Sequence, residues 1–450
     1  MVDTATKKST FIRFHIFGVV AIGLLFSIEE MSLELAIEYA LKHSATMKLA
    51  FEDKKIAHSQ SVEARSAALP TLSGIVSGTR NFMIAEQVVK FGGEPPVSIK
   101  FGMDNQAVYG LSATQTIFEG RVFSAIRASK IYDKITESSY EVSTLSVEEQ
   151  TKTAFYNTLV AMKVVDVMNS SLDRAKSNLE KTLLIYSMGK VSELDKIRSE
   201  TNVARLESDL ISAEKNSEIA MDYFKKTIGF PVSEKLFLIG ILHDGESMEF
   251  EYDTLVDVMR ASQPAITQAS QTVRLMKENI SAVRSEFMPS LFLSGSYQSL
   301  KTYDDSKFQD EDFRNSQSVS LNLNIPIFKG FGSSARLQKA KADHLKSQYR
   351  QHDLLENMQL ELKSIMLSIK TLEKKLILGE KELELALKGR ETAEALLESG
   401  RISQLDMEDA ELALLQAELG LLQYKLEYQT SMAALYRLIG RKDLNDENNN

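Results

Sequence analysis

The sequence predicts a mainly α protein with a smaller β part, built as two copies of one unit in which a pair of strands is set between long helices. Three observations carry this. The chain matches itself in a fixed order over most of its length, four short segments alternate apolar and polar residues, and two proline-free spans of 68 residues can form rods.

The chain has 450 residues, 43% hydrophobic and 26% charged, a composition that excludes wholesale disorder. Its 53 Lys+Arg against 62 Asp+Glu give a formal charge of -9, which argues against nucleic acid as a partner. Near the start, Lys7, Lys8 and Arg13 precede an uninterrupted apolar run from Ile16 to Phe26. That is the layout of a secretory signal, and 11 residues are too few to span a bilayer as a helix. Residues 1–30 are therefore assigned to a signal cut between Ser27 and Met31, with a short buried helix as the competing reading. The absence of cysteine removes disulfides, thiolate metal sites, a catalytic Cys and an acylated N-terminal Cys.

The internal match begins where RSAALPTLSG from Arg65 meets RSEFMPSLFLSG from Arg284, placing Pro70 on Pro289 at a shift of 219. IFEG from Ile117 meets IFKG from Ile327 at 210, and YSMGKVSELD from Tyr186 meets LESGRISQLD from Leu397 at 211. Ile228-Gly229 meets Ile439-Gly440 at the same 211. Four landmarks in one order mean a duplication with a period far longer than a solenoid repeat. The change in shift puts nine extra residues in the first copy, around VVKFGGEPPVS, where Gly and Pro mark a loop.

Each copy offers two strands, at about 70–83 and 105–118 and at about 289–300 and 316–328. The last is the clearest. Val319, Leu321, Leu323, Ile325 and Ile327 alternate with Ser318, Ser320, Asn322 and Asn324. Ala107, Tyr109, Leu111, Ala113 and Ile117 do the same against Ser112, Thr114 and Thr116, and Leu291, Leu293 and Tyr297 against Ser290, Ser294 and Ser296. Leu72, Gly74 and Val76 give a weaker version. The pattern fits a tilted membrane strand with a small polar face toward water, and equally a soluble half-buried sheet.

Helices are expected over 120–187 and 191–228 in the first copy and over 331–398 and 401–438 in the second, each long span reaching roughly 100 Å. Leu355, Leu362, Ile369, Leu376 and Leu383 form a heptad seam, flanked by Met358, Ile365, Leu372 and Ala386, with Gly379 as its one gap. A second seam is read through Leu405, Leu412, Leu419, Leu426 and Ala433. Gly189 and Gly400 end the long helices, and Ser192 and Ser403 start the next ones. If the strands cross a membrane, four of them cannot close a barrel, and more than one chain is required.

The remaining chemistry is sparse. No Gly-rich phosphate loop or nucleophile motif is present, and the six His, including His344 and His352, do not cluster as ligands. Neither an enzyme nor a cofactor is expected.

The signal, the duplicated unit, the strand starts at Pro70 and Pro289, IFEG/IFKG before each long helix, and G-[KR]-[VI]-S-x-L-D at each turn together resemble the TolC family of outer membrane efflux proteins. The resemblance implies a homotrimer whose twelve transmembrane strands form one barrel in outer membrane lipid, continued by a twelve-helix periplasmic tunnel. It implies a non-enzymatic exit duct joined by a periplasmic adaptor to an inner membrane transporter of the ABC, RND or MFS class. Residues 31–230 and 251–440 would be the two repeats, 231–250 an equatorial linker and 441–450 a flexible tail. By the same resemblance Asp406 and Asp409 would form the acidic periplasmic gate. Asp195 matches Asp406 in the first copy, Arg198 replaces the second acid, and Arg401 would pair with Asp195. The turns at Gly189-Lys190 and Gly400-Arg401 would meet the adaptor. The competing reading of these acids is helix capping, and that of the whole chain is a soluble or surface coiled-coil scaffold.

Overall fold

A computed structural model of the chain describes residues 29–93, 95–242, 251–304 and 313–441. Residues 1–28 of the expected signal, 442–450 of the tail, 243–250 of the linker and the loop 305–312 lie outside the described residues.

Each copy opens with a short helix that hands over to a longer one. In the first these are α1 (Leu33–His43) and α2 (Ala45–Ser66), capped by Ser32 and Ser44, whose hydroxyls accept from the Leu35 and Met47 amides. In the second they are α5 (Tyr252–Ser262) and α6 (Pro264–Arg284), where Pro264 occupies the first turn that needs no amide donor. The long helices are α3 (Gly120–Ser187) and α7 (Gly332–Glu398), each followed by a 36-residue partner, α4 (Glu193–Ile228) and α8 (Gln404–Ile439). α3 packs against α2 and α6 along one part and against α4 and α8 along another; α7 packs against α6 and α8. The duplication extends to close packing. A Cβ on Gly229, which ends α4, would meet the His43 carbonyl at the α1–α2 junction, and one on Gly440, which ends α8, would stand 2.7 Å from the Ser262 carbonyl at the α5–α6 junction.

A single four-stranded antiparallel sheet joins the copies, in the order β2 (Thr71–Arg80), β5 (Asn105–Phe118), β7 (Ser290–Tyr303) and β8 (Arg314–Asn324). Its register sets the serines in line. Ser73 faces Ser112, Ser112 faces Ser296 and Ser296 faces Ser318, with hydroxyls 2.8 Å apart in the outer two pairs. The same face carries Thr71, Thr114, Ser294 and Ser320, while Leu72, Leu111, Leu293 and Leu321 point the other way. The outer strands β2 and β8 are exposed along their whole length, Val76 at 87% and Val319 at 81%, while Ser299 and Lys301 at the far end of β7 are buried; the three hydrophobic clusters hold no residue of this sheet. β2 and β8 are open edges. β8 ends at Asn324, four residues before the alternation does, because Pro326 has no amide to give to a ladder.

Two further pairs were absent from the sequence reading. β3 (Glu86–Val89) and β4 (Val97–Lys100) form a hairpin inside the first-copy segment read as a loop; Gly93, at φ 93°, makes its turn. β1 (Glu29–Met31) runs parallel to β6 (Leu236–Leu238), and Met31 is buried. Glu29 and Glu30, at the end of the segment assigned to the signal, pair in this strand.

The α7 seam runs as its heptads predict, with Met358, Leu362, Ile369, Leu372 and Leu376 buried. Its gap is filled from α8, where a Cβ on Gly379 would stand 3.2 Å from the Tyr424 ring and 3.4 Å from Leu421. The α8 seam is corrected over its first turns, while its last member, Ala433, is buried as expected. Leu405 and Leu412 are exposed, and the buried stripe is Met407, Leu414, Leu421, Tyr428 and Leu435, also spaced by seven. Two apolar stripes on one helix have the same period, and only packing tells them apart.

Candidate functional site at the helical tip

Both hairpins turn in the same way. At the first turn the Gly189 amide donates to the Tyr186 carbonyl at 2.8 Å and the Lys190 amide to Ile185 at 3.2 Å. At the second, Gly400 donates to Leu397 and Arg401 to Leu396, both at 2.9 Å. The glycines sit at φ 71° and 69°, the left-handed region in which a Cβ is strained. The side chains of Lys190 and Arg401 are thereby presented to solvent at the two ends.

Asp195 and Asp406 stand in the same capping role three residues into each following helix. The Ser192 hydroxyl and amide donate to Asp195 Oδ2 at 2.6 and 3.2 Å, and Ser192 Oγ accepts from the Asp195 amide. In the second copy the Ser403 hydroxyl and amide donate to Asp406 Oδ2 at 2.6 and 2.8 Å. The Ser403 hydroxyl, then its amide, hold the Asp406 carboxyl below the usual carboxylate range. Asp195 lies 3.9 Å from Arg198, its neighbour one turn on, rather than from Arg401, which makes no ion pair within the described chain. Asp409 is exposed. Between these acids sits Glu408, whose carboxyl burial pushes upward; the Gln404 hydrogen bond and Arg198 oppose this, and Asp195 and Asp409 add to it.

Two turns beyond the tip, α3 is tied to the second hairpin by a chain of charges. Arg174 Nε donates to Glu411 Oε2 at 2.9 Å, and Arg390 Nε donates to Glu411 Oε1 at 3.0 Å. Arg390 also reaches Glu394 at 2.9 Å, and Lys181 joins Glu394 and Glu398 at 2.9 and 3.1 Å. Arg174 reaches Glu418 at 3.4 Å. Hydrogen bonds to Glu394 and Glu398 hold the Lys181 ammonium above the usual lysine range. None of these residues was singled out from sequence. Their signal was present: Glu411 lies on the stripe through Gln404, Met407 and Leu414, and an acid on a buried stripe needs a partner. Reading the stripe two residues out of place, through Leu412, hid it.

Among the described residues no group of His, Cys, Asp or Glu could hold a metal ion, and no helix is long and apolar enough to cross a membrane. The constellation is therefore one of caps and inter-helix charge bonds, suited to holding helices together or letting them part.

Comparison with known proteins agrees with this architecture. The family model described as "Outer membrane efflux protein" matches residues 255–441, the second copy. Alkaline protease secretion protein AprF of Pseudomonas aeruginosa is 19% identical over 411 residues, covering 90% of this chain and 83% of that protein. Outer membrane protein TolC of Escherichia coli is 20% identical over 245 residues, 53% of this chain and 50% of that protein. The crystal structure of the Campylobacter jejuni CmeC outer membrane channel superposes with a TM-score of 0.77 at 20% identity, covering 91% of this chain and 85% of that one. Residues 255–441 thus match the outer membrane efflux protein family, and the fold of the chain resembles that of an outer membrane channel.

Proposed function

We propose that the chain is the outer membrane exit duct of a tripartite efflux or type I secretion system, passing substrates from an inner membrane transporter across periplasm and outer membrane. One observation carries the reading. The four-stranded sheet leaves both edges unpaired and its outer strands β2 and β8 exposed along their whole length, with leucines and valines on one side and a serine rung on the other. In water this would be an aggregation surface; in a membrane it is the wall of a barrel awaiting more strands. Three chains give twelve strands. The apolar side then meets lipid and the serines line the passage, while helices of 68 and 67 residues, roughly 100 Å, continue the tube through the periplasm.

In this trimer the tip is the gate. Asp409 projects a free carboxylate at each of three positions, while Asp406 and Asp195 are partly occupied as caps. Three carboxylates in a narrow ring attract and retain cations. The turns at Gly189-Lys190 and Gly400-Arg401 face the periplasmic adaptor, and the pump behind it selects the cargo.

Fractionation discriminates the duct from a coiled-coil scaffold. Recovery in outer membranes as a trimer that dissociates only on boiling supports the duct. Recovery as a soluble monomer would sink it.

A further inference from the structure

The first strand pair continues past the last rung of the sheet. β2 stops at Arg80 opposite Asn105, the Asn81 amide donates to the Asp104 carbonyl at 2.7 Å, and the segment beyond carries the β3–β4 hairpin as an arm. β2 alone has 10 residues, one tilted bilayer crossing, so on the duct reading the arm stands outside the membrane at the end away from the helices.

An arm in water should be polar, yet Phe82 and Met83 are 93% and 92% exposed, Val88 70%, and Phe91 and Phe101 59% each. Apolar residues gathered on so small a surface mark a contact. Lipid is a poor occupant. Glu86 accepts from Ser98 Oγ at 2.6 Å and Lys100 pairs with Asp104 at 2.7 Å on the same hairpin, and such charges are costly in hydrocarbon. At the base of the arm Asp304 Oδ1 accepts from the Asp104 amide at 2.8 Å. The sequence that follows, DDSKFQDED from Asp304, is acidic and has a single aromatic residue.

A second copy fits. The arm hangs from β2, the open edge that another chain has to cover if the sheet lies in a membrane. Twelve strands spaced by about 4.8 Å and tilted by about 40° make a ring about 24 Å across. One extended limb of the arm, of about ten residues, spans up to about 33 Å and so reaches the threefold axis.

We infer that the β3–β4 arms of three copies meet over the outer mouth and cover one another's Phe82, Met83, Val88 and Phe91, forming a cap made by the chain itself. This rests on the trimeric duct described above.

Because the chain has no cysteine, Val88→Cys and Phe91→Cys each introduce a sole thiol. The test is oxidation or a short bismaleimide applied to intact outer membranes, followed by boiling in SDS. A covalent dimer at either position is the expected result. Trimers that survive without boiling but give no covalent dimer at both positions overturn the cap and leave the duct standing. Reaction of the same thiols with a maleimide carried on a lipid chain, in place of the crosslink, assigns the apolar residues to the outer leaflet and also overturns it. A wild-type chain that is monomeric in detergent removes the duct and the cap together.

Discussion

Arg174 on the first long helix and Glu411 on the last helix are joined at 2.9 Å across the two structural repeats, with only 19% and 11% of their side chains exposed. Glu411 is shared with Arg390 of α7 at 3.0 Å, so one carboxylate ties three helices together near the tip. Removing one member of such a pair leaves a charge in poor solvent and costs more than the pair itself contributes.

Arg174→Ala should therefore loosen the tip by about 2–4 kcal/mol locally. Amide exchange in the first turns of α8 would accelerate by at least about tenfold, while exchange near Leu435 stays unchanged. Arg174→Lys restores the charge but not the fork that reaches both Glu411 and Glu418, and should recover only part of the protection. Equal exchange in wild type and Arg174→Ala would show that the pair does not hold the hairpin.

The two interior glycines of α7 should respond oppositely to larger side chains. Gly379 is filled by Tyr424 and Leu421, and Gly379→Leu should destabilise the hairpin by about 1–3 kcal/mol through overpacking. Gly389 has nothing within 4 Å, and Gly389→Ala should stabilise α7 by about 0.5–1 kcal/mol through helix propensity. Thermal melts of the two variants check the difference. A stabilised Gly379→Leu would contradict the packing described.

Two acids of α8 should respond to pH in opposite senses. Asp406 is held below the ordinary carboxylate range by Ser403, so its contribution is present above about pH 4 and lost as pH falls through the lowered value. Burial raises Glu408, so its contribution is complete below about pH 4 and lost as pH rises through the raised value. At neutral pH Asp406→Asn should weaken the start of α8 and Glu408→Gln should strengthen it, and the Glu408→Gln gain should vanish near pH 4. A gain that grows in acid would reverse the assignment.

For the gate, Asp409→Ala should relieve divalent-cation block of single-channel current more than Asp406→Ala does, since Asp406 already serves Ser403. Equal relief by the two, or none, would return both residues to helix capping.

The duplication, the α7 seam and the turn glycines were legible because each leaves a one-dimensional signature: a repeated motif, a heptad, a Gly at φ near 70°. The two faces of the sheet were legible for the same reason, since strand period is two. What sequence missed depends on contacts distant along the chain. The α8 stripe through Met407 and Leu414 has the same period as the one through Leu405 and Leu412, and only the approach of α7 and α3 chooses between them. The pairing of β1 with β6 joins residues about 200 positions apart in three-residue strands that no periodicity marks. At the tip, Asp195, Asp406 and their capping serines Ser192 and Ser403 were legible by position, whereas Arg174, Arg390 and Glu411 come together only through packing.

The central claim is that copies of this chain close into a conducting duct. Single-channel recording of the purified protein in planar bilayers tests it most directly. Discrete, long-lived conductance steps, produced by the detergent-stable trimer and absent after boiling, are the predicted result. A monomer that leaves the bilayer silent would contradict it.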